Sequence, residues 1–307
     1  MVENTSNLYF RIGLTGSYPD AGINGTVAPR YGKVVVTHPG GSQTIYIRQG
    51  EVAAELVPGS GVYWSPYNMS DPERGEGGNN IADHNDVRTD EAVFLPEKFT
   101  GYPSQGGYFF QWNRVKAYHP IAPYTSFGSS SRLISGWPFD YENTWDTTRD
   151  VCPIGYRHPK GKSDDPASEY LTGLLGDTPG TDNSMWGYYA DGFFDRSYLQ
   201  ASLDIDEMSR AGSGSEIAYL GRLFFNTGSS ASLFFPAGGQ RYSWSDSNKG
   251  YLSGEGTSCF YFYGDKSDDG NNFRYVRNAY FSETRVEIIG GIKTTGYKIR
   301  CVKGEKQ

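Results

Sequence analysis

Turn-forming residues interrupt this chain so often that few stretches long enough for a helix survive between them. Forty glycines and sixteen prolines are spread over 307 residues. Glycine loses backbone freedom in a helix interior and proline removes a hydrogen-bond donor there. What fits between the breaks is short strands, and the residues available to bury them are rings. Aromatic residues make up 15% of the chain, with 24 Tyr, 17 Phe and 6 Trp, although only 37% of it is hydrophobic. This predicts a β-rich, loop-rich globule whose core rests on large rings instead of leucine stripes. The length admits two domains and a sizeable core.

A net charge of −7 argues against nucleic acid as a partner, because neutralising phosphates needs a basic patch. No apolar run approaches the roughly 18 residues of a membrane span, so none is expected. The start, Met1-Val2-Glu3-Asn4-Thr5, lacks the basic and apolar regions of a signal peptide. The chain is therefore read as either cytosolic or a trimmed mature fragment, and its Tyr-, Gly-, Ser- and Asn-rich composition favours an exported one. Three cysteines leave at least one unpaired within the chain.

Strands are expected at residues 6–12 and in a hairpin over 33–48. There, Lys33-Val34-Val35-Val36-Thr37 and Gln43-Thr44-Ile45-Tyr46-Ile47-Arg48 flank the turn His38-Pro39-Gly40-Gly41-Ser42. Residues 1–57 then read as a partial β-sandwich, immunoglobulin- or transthyretin-like, with a connector. The alternative is an N-terminal extension that packs on the main domain. Residues 58–307 form that main domain. It contains a buried strand at 106–112 and further strands at 217–225, 231–239, 259–263 and 298–302. One helix is predicted by the caps Ser163-Asp164-Asp165, by Pro166 and by the stripe Tyr170, Leu171, Leu174 and Leu175 that ends at Gly176. A second, weaker helical segment lies at 195–200. Many short strands with one or two helices make the expected class α+β.

Four blocks in order resemble the Fibrobacter succinogenes major paralogous domain. They are Val62-Tyr63-Trp64-Ser65-Pro66-Tyr67-Asn68-Met69 with Gly107 to Trp112, the Asp150-Val151-Cys152-Pro153-Ile154-Gly155-Tyr156-Arg157-His158-Pro159 motif, Leu233 to Arg241, and Ile299-Arg300-Cys301-Val302. The resemblance spans Val62 to Val302. It implies a C-type lectin-like fold and an exported surface protein of Bacteroidetes or their relatives, where such a domain follows fimbrillin-like sandwiches at the adhesive tip of a fimbria. Other fimbrial or surface subunits would be its partners, and a glycan or host protein its ligand. The family has no established catalytic residues to carry over and brings no cofactor. Two departures are visible: Tyr156 stands where Trp is frequent, and Cys259 falls where the family shows an aromatic run ending in Trp-Ser-Ser.

Cys152 and Cys301 are the expected disulfide, both beside strand-like runs. Closing about 150 residues stabilises a fold by about 4–5 kcal/mol in the chain-entropy view; two buried free thiols are the alternative. Cys259, inside an aromatic run, reads as an inert buried thiol. Its sequence neighbourhood offers no base, and of the four histidines His38, His119 and His158 precede proline while His84 sits among acids. Asp83, Asp86 and Asp90, and the run Asp265 to Asn272, offer hard oxygens for calcium. The second run has Val276 where an EF-hand needs a carboxylate, so both are read as solvated turns and no metal is expected. Asp204 and Glu207 are a carboxylate pair with no stated separation, which falls short of a glycosidase signal. The ligand-binding candidates are Trp186, Tyr188, Tyr189, Asp191 and Arg196, with Trp244 and Asp246 in a later loop. Rings with polar tips beside charges suit sugar stacking or peptide contact, although such rings more often fill the core of a loop-rich domain. The function expected is adhesion without catalysis; the alternatives are a carbohydrate-active or protein-modifying enzyme and a structural stalk subunit.

Overall fold

The structure, a computed structural model, describes residues 12–19, 25–70, 99–100, 106–118, 137–140, 145–161, 168–176, 183–190, 218–244, 250–262 and 275–306. Sixteen strands occur among them. The hairpin forms where the alternating Val and Ile runs place it: β1 (Arg30–His38) pairs antiparallel with β2 (Gly41–Gln49) around Pro39-Gly40. Gly41 supplies a φ of 137° at the turn exit. None of the eighteen hairpin residues is buried. Its anchor to the rest is partial, through Tyr46 stacked at 4.6 Å on Phe225. Of the segment expected to be a partial sandwich, the described residues show the two-stranded sheet β1-β2, and residues 6–11 of the expected first strand lie outside them.

The remaining strands make three larger sheets and one small ribbon. A three-stranded sheet runs in the order β10 (Ser232–Pro236), β9 (Ala218–Phe225), β8 (Ser184–Ala190). A five-stranded sheet has the order β12 (Tyr251–Glu255), β11 (Gly238–Tyr242), β13 (Ser258–Phe262), β14 (Tyr275–Ser282), β15 (Val286–Ile292). The fourth has the order β3 (Ala54–Glu55), β4 (Tyr63–Asn68), β16 (Arg300–Lys303), β7 (Tyr156–Arg157). The ribbon pairs β5 (Phe109–Phe110) with β6 (Ala117–Tyr118). The run 231–239 is two strands, because Pro236 has no N–H to extend the ladder and is tolerated at the sheet edge.

The expected α+β class is overturned. Helical backbone among the described residues amounts to a three-residue 3-10 turn at Thr147–Arg149 and one wide turn ending at Leu175. The stripe Tyr170, Leu174 and Leu175 is buried as foreseen. The helix stops because Gly176, at φ 63°, donates its N–H to Leu171 O at 2.8 Å. The caps at 163–166 and the segment 195–200 lie outside the described residues. A fold this strand-dominated, cut into several small sheets, is not the α+β, C-type lectin-like arrangement with helices that was expected.

The C-terminal segment is the seam that joins these pieces. Gly296 exchanges backbone bonds with Arg241, and Tyr297 with Phe110. Lys298 bonds to Phe260 and Phe262, and Met69 donates to Ile299 O at 3.0 Å. β16 then lies between β4 and β7. Around the seam the rings form two main cores. One gathers Trp64, Tyr170, Phe224, Phe235, Tyr261 and Phe281, with Phe235 edge-on to Phe224, Tyr261 and Phe281 at 4.9–5.5 Å. The other gathers Phe110, Trp112, Tyr156, Phe262 and Tyr297 around the cysteines.

Buried cations are the unexpected content of this interior. Arg300 is fully buried with no carboxylate on it among the described residues. Its guanidinium donates to Asn68 Oδ1 (2.6 Å), Ser65 O (3.2 Å), Pro66 O (2.8 Å) and Phe234 O (2.9 Å), and lies 4.6 Å over the Phe235 ring. Arg222, 2% exposed, donates to Ser184 Oγ and to the carbonyls of Ser282 and Glu283. Burial holds both guanidiniums below their usual pKa.

Candidate functional site

The Asp150 to Pro159 motif builds a closed knot. Cys152 and Cys301 form the disulfide, with Cα atoms 6.0 Å apart and a sequence separation of 149. Asp150 organises the loop that carries Cys152. Its carboxylate accepts from the backbone N–H groups of Cys152 and His158, both at 2.9 Å, and faces His158 Nδ1 at 2.8 Å. Burial alone would raise the Asp150 pKa, but His158 and these N–H groups outweigh it and hold the carboxyl below its usual range. Between the two, Pro153 O accepts from Tyr156 N in a turn whose third residue, Gly155, has φ 82°. Arg157 then clamps Glu169 bidentately at 2.5 and 2.7 Å, with both side chains largely sheltered. The motif residues therefore serve one another.

A narrow cleft beside this knot is too tight to admit even a water molecule. Trp112, Arg114, Trp145, Arg149 and His158 line it together with Gln111, Asn113, Phe262 and Ile299. Trp145 meets Trp112 at 5.6 Å and stands edge-on to His158 at 4.9 Å. Asn113, at φ 56°, accepts from the N–H of Asp146 and so fixes the loop that presents Trp145 and Arg149. Arg114 pairs with the exposed Asp140 at 2.9 Å. Two buried groups in the lining, Gln111 Oε1 and Trp112 Nε1, have no hydrogen-bond partner among the described residues. Trp145 and Arg149 are the partly exposed members of this group, and a ring beside a guanidinium is chemistry that suits polar, ring-shaped or peptidic ligands.

The candidates chosen from sequence fall elsewhere. Trp186 is a residue of β8, paired with Arg222 and packed against the ring core. Tyr188 and Tyr189 continue that strand opposite Leu220 and Tyr219. Trp244 follows β11 and is 46% exposed. Trp186 thus lies within a sheet, while Trp244 lies in the segment that leaves a strand of another sheet. Asp191, Arg196 and Asp246 lie outside the described residues, as do both acidic loops, His84, His119, Asp204 and Glu207. His38 closes the hairpin turn, accepting from Gly40 N. The signal for the cleft was in the sequence: Trp145 and Arg149 directly precede the motif, and Gln111-Trp112-Asn113-Arg114 ends the buried run.

Cys259 is the free thiol, fully buried and donating to Phe235 O at 3.2 Å. Burial pushes its pKa well up, against the weaker pull of Arg222 and Arg300, so the thiolate is suppressed. No helix among the described residues is long and apolar enough to cross a membrane. No family model, curated protein or solved structure matches the chain.

Proposed function

We propose that this chain is an exported cell-surface binding module, an adhesive fimbrial tip-type subunit that recognises glycan or protein and performs no catalysis. The observation that carries the reading is the partly exposed pair Trp145 and Arg149, backed by Trp112 and held on a disulfide-locked frame. Rings and guanidiniums on rigid supports suit recognition, since little side-chain freedom is lost on binding. A disulfide favours an oxidising compartment. The ordered motifs resembling the major paralogous domain support a surface location and other surface subunits as partners. The exposed Trp244 is a second point of contact. Against catalysis stand the suppressed thiolate of Cys259 and an Asp150–His158 pair already bonded within the frame.

The test is a glycan-array and host-protein screen of the oxidised chain, with and without calcium, run beside Trp145→Ala and Arg149→Ala. Binding that these variants weaken supports the reading. Deleting residues 58–307 from the surface-displayed protein should also abolish cell adhesion. Adhesion that survives the deletion unchanged would sink the idea.

A further inference from the structure

Asp150, Cys152, His158 and Cys301 have a coordination chemistry that the disulfide frame does not use. One donor atom each from Asp150, Cys152 and His158 lies within 4.8 Å of the others. Cys301 adds a second sulfur, 2.10 Å from the first. All four residues are buried, at 0% for the cysteines, 4% for Asp150 and 6% for His158. We propose that reduction of the Cys152–Cys301 bond converts this group into a closed four-ligand zinc site made of two thiolates, the His158 imidazole and the Asp150 carboxylate.

Zinc in structural sites is tetrahedral, with bonds of about 2.0–2.3 Å to sulfur, nitrogen and oxygen. Those bonds place neighbouring donor atoms about 3.3–3.8 Å apart. In the oxidised chain, two pairs are closer than that. The sulfurs are joined by their bond, and His158 Nδ1 and Asp150 Oδ1 lie 2.8 Å apart. One ion replaces both links, moving each close pair apart and drawing the two pairs together. A Cα separation of 6.0 Å lets both sulfurs reach one ion by side-chain rotation.

The surroundings suit an ion. Asp150 keeps its two backbone N–H bonds, which orient the carboxylate as an outer layer of donors does in metal sites. Trp145, Trp112, Val151 and Ile299 keep the site dry. Two thiolates and a carboxylate leave the zinc cluster at −1, and the Lys306 ammonium on the Asp150 carbonyl, 2.6 Å away, balances it.

The chemistry balances with a dithiol reductant. Two electrons enter the S–S bond, which breaks to give two thiols, while the reductant closes to its own disulfide. Zinc then displaces one proton from each thiol, and His158 binds through Nδ1 as the tautomer with its N–H on Nε2. Two protons are released for each ion bound.

Metal uptake by the reduced full chain tests this, in a Cys259→Ala background so that only two thiols remain. Zinc is titrated in competition with a chromophoric chelator, and cobalt is used as a spectroscopic probe. The expected result is one ion per reduced chain, with thiolate-to-cobalt charge-transfer and tetrahedral d–d absorption, and no uptake by the oxidised chain. Asp150→Asn and His158→Gln should each weaken zinc binding by roughly tenfold or more. A folded reduced chain that takes up no stoichiometric ion overturns the proposal, as does uptake that His158→Gln leaves unchanged. If reduction unfolds the chain, one equivalent of zinc must restore the native circular dichroism, and failure to do so also overturns it. The oxidised chain's adhesion is unaffected by either result, so this site and the proposed binding function fail separately.

Discussion

Replacing Arg300 by methionine asks whether a buried guanidinium without a carboxylate can be a net stabiliser. The substitution keeps an apolar stem of similar reach and removes every donor. It leaves Asn68 Oδ1 and the carbonyls of Ser65, Pro66 and Phe234 without the bonds they accept now. A buried acceptor stripped of its donor costs about 1–3 kcal/mol, so the gross loss is about 4–12 kcal/mol. The variant is relieved of several kcal/mol of guanidinium desolvation, which brings the net to about 3–5 kcal/mol. Urea unfolding followed by tryptophan fluorescence should show it. With a slope of about 2 kcal/mol/M, the midpoint falls by about 2 M. Arg300→Lys should lie between, because one ammonium cannot reach both the Ser65–Asn68 stretch and Phe234. An Arg300→Met protein as stable as the parent would refute the reasoning. It would mean that the carbonyls and the Phe235 ring never offset the burial of the charge.

Cys152→Ser combined with Cys301→Ser should lower stability by about 4–5 kcal/mol, read as a lower denaturation midpoint; an unchanged midpoint contradicts the entropic account. Cys259 should resist alkylation in the folded chain even at pH 9 and react at once in urea, because burial raises its pKa and removes the thiolate; fast labelling of folded protein would show the thiol to be accessible. Burial raises the Tyr156 and Tyr297 phenols to about 12, so the neutral form is favoured in the fold. Their contribution is fully present below the ordinary phenol value of about 10 and is lost as pH rises from there to about 12, on the order of 2–3 kcal/mol for each. Ultraviolet phenolate titration beside unfolding at each pH checks this, and titration of every tyrosine near pH 10 would contradict it. Gly173→Ala should destabilise by about 1–3 kcal/mol, since the new methyl meets Val62 Cβ at 2.5 Å under the turn whose carbonyl accepts from Trp64; a calorimetric midpoint equal to the parent's would show that the turn can shift.

The strands that sequence makes legible are those with runs of β-branched and aromatic residues between turn formers. The Val34–Val36 and Ile45–Ile47 hairpin is one, and the Phe224, Phe234 and Phe260 runs are others. The cysteine pairing was also readable, because each cysteine abuts an apolar run. β14 and β15 were missed: Arg277, Asn278 and Glu287 interrupt their apolar pattern, and Gly290-Gly291 resembles a turn. Gly291 is in fact the one place where Asn278 and Tyr297 leave no room for a side chain. Trp186-Gly187-Tyr188-Tyr189 read as a ligand loop because rings with polar tips suit both a sugar and a strand, and the pairing with β9 decided for the strand. The buried cations could not be foreseen, since lysine and arginine in a sequence signal surface. The helical stripe was genuine, but its burial needs only one turn.

The disulfide has a mechanical consequence. It ties β16 to the loop before β7, so the chain from one cysteine to the other, a sequence separation of 149, forms a covalent ring. A pull applied through the hairpin and the C-terminal strand crosses the sheet of β4 and β16 and bypasses that ring. The bypassed chain would otherwise lengthen by about 500 Å when drawn out, at roughly 3.4 Å per residue. An intact disulfide keeps that length out of the line of force, and a break in the backbone inside the ring leaves the two ends joined. For a subunit held at one end and loaded at the other, the ring makes the folded head a short, stiff link.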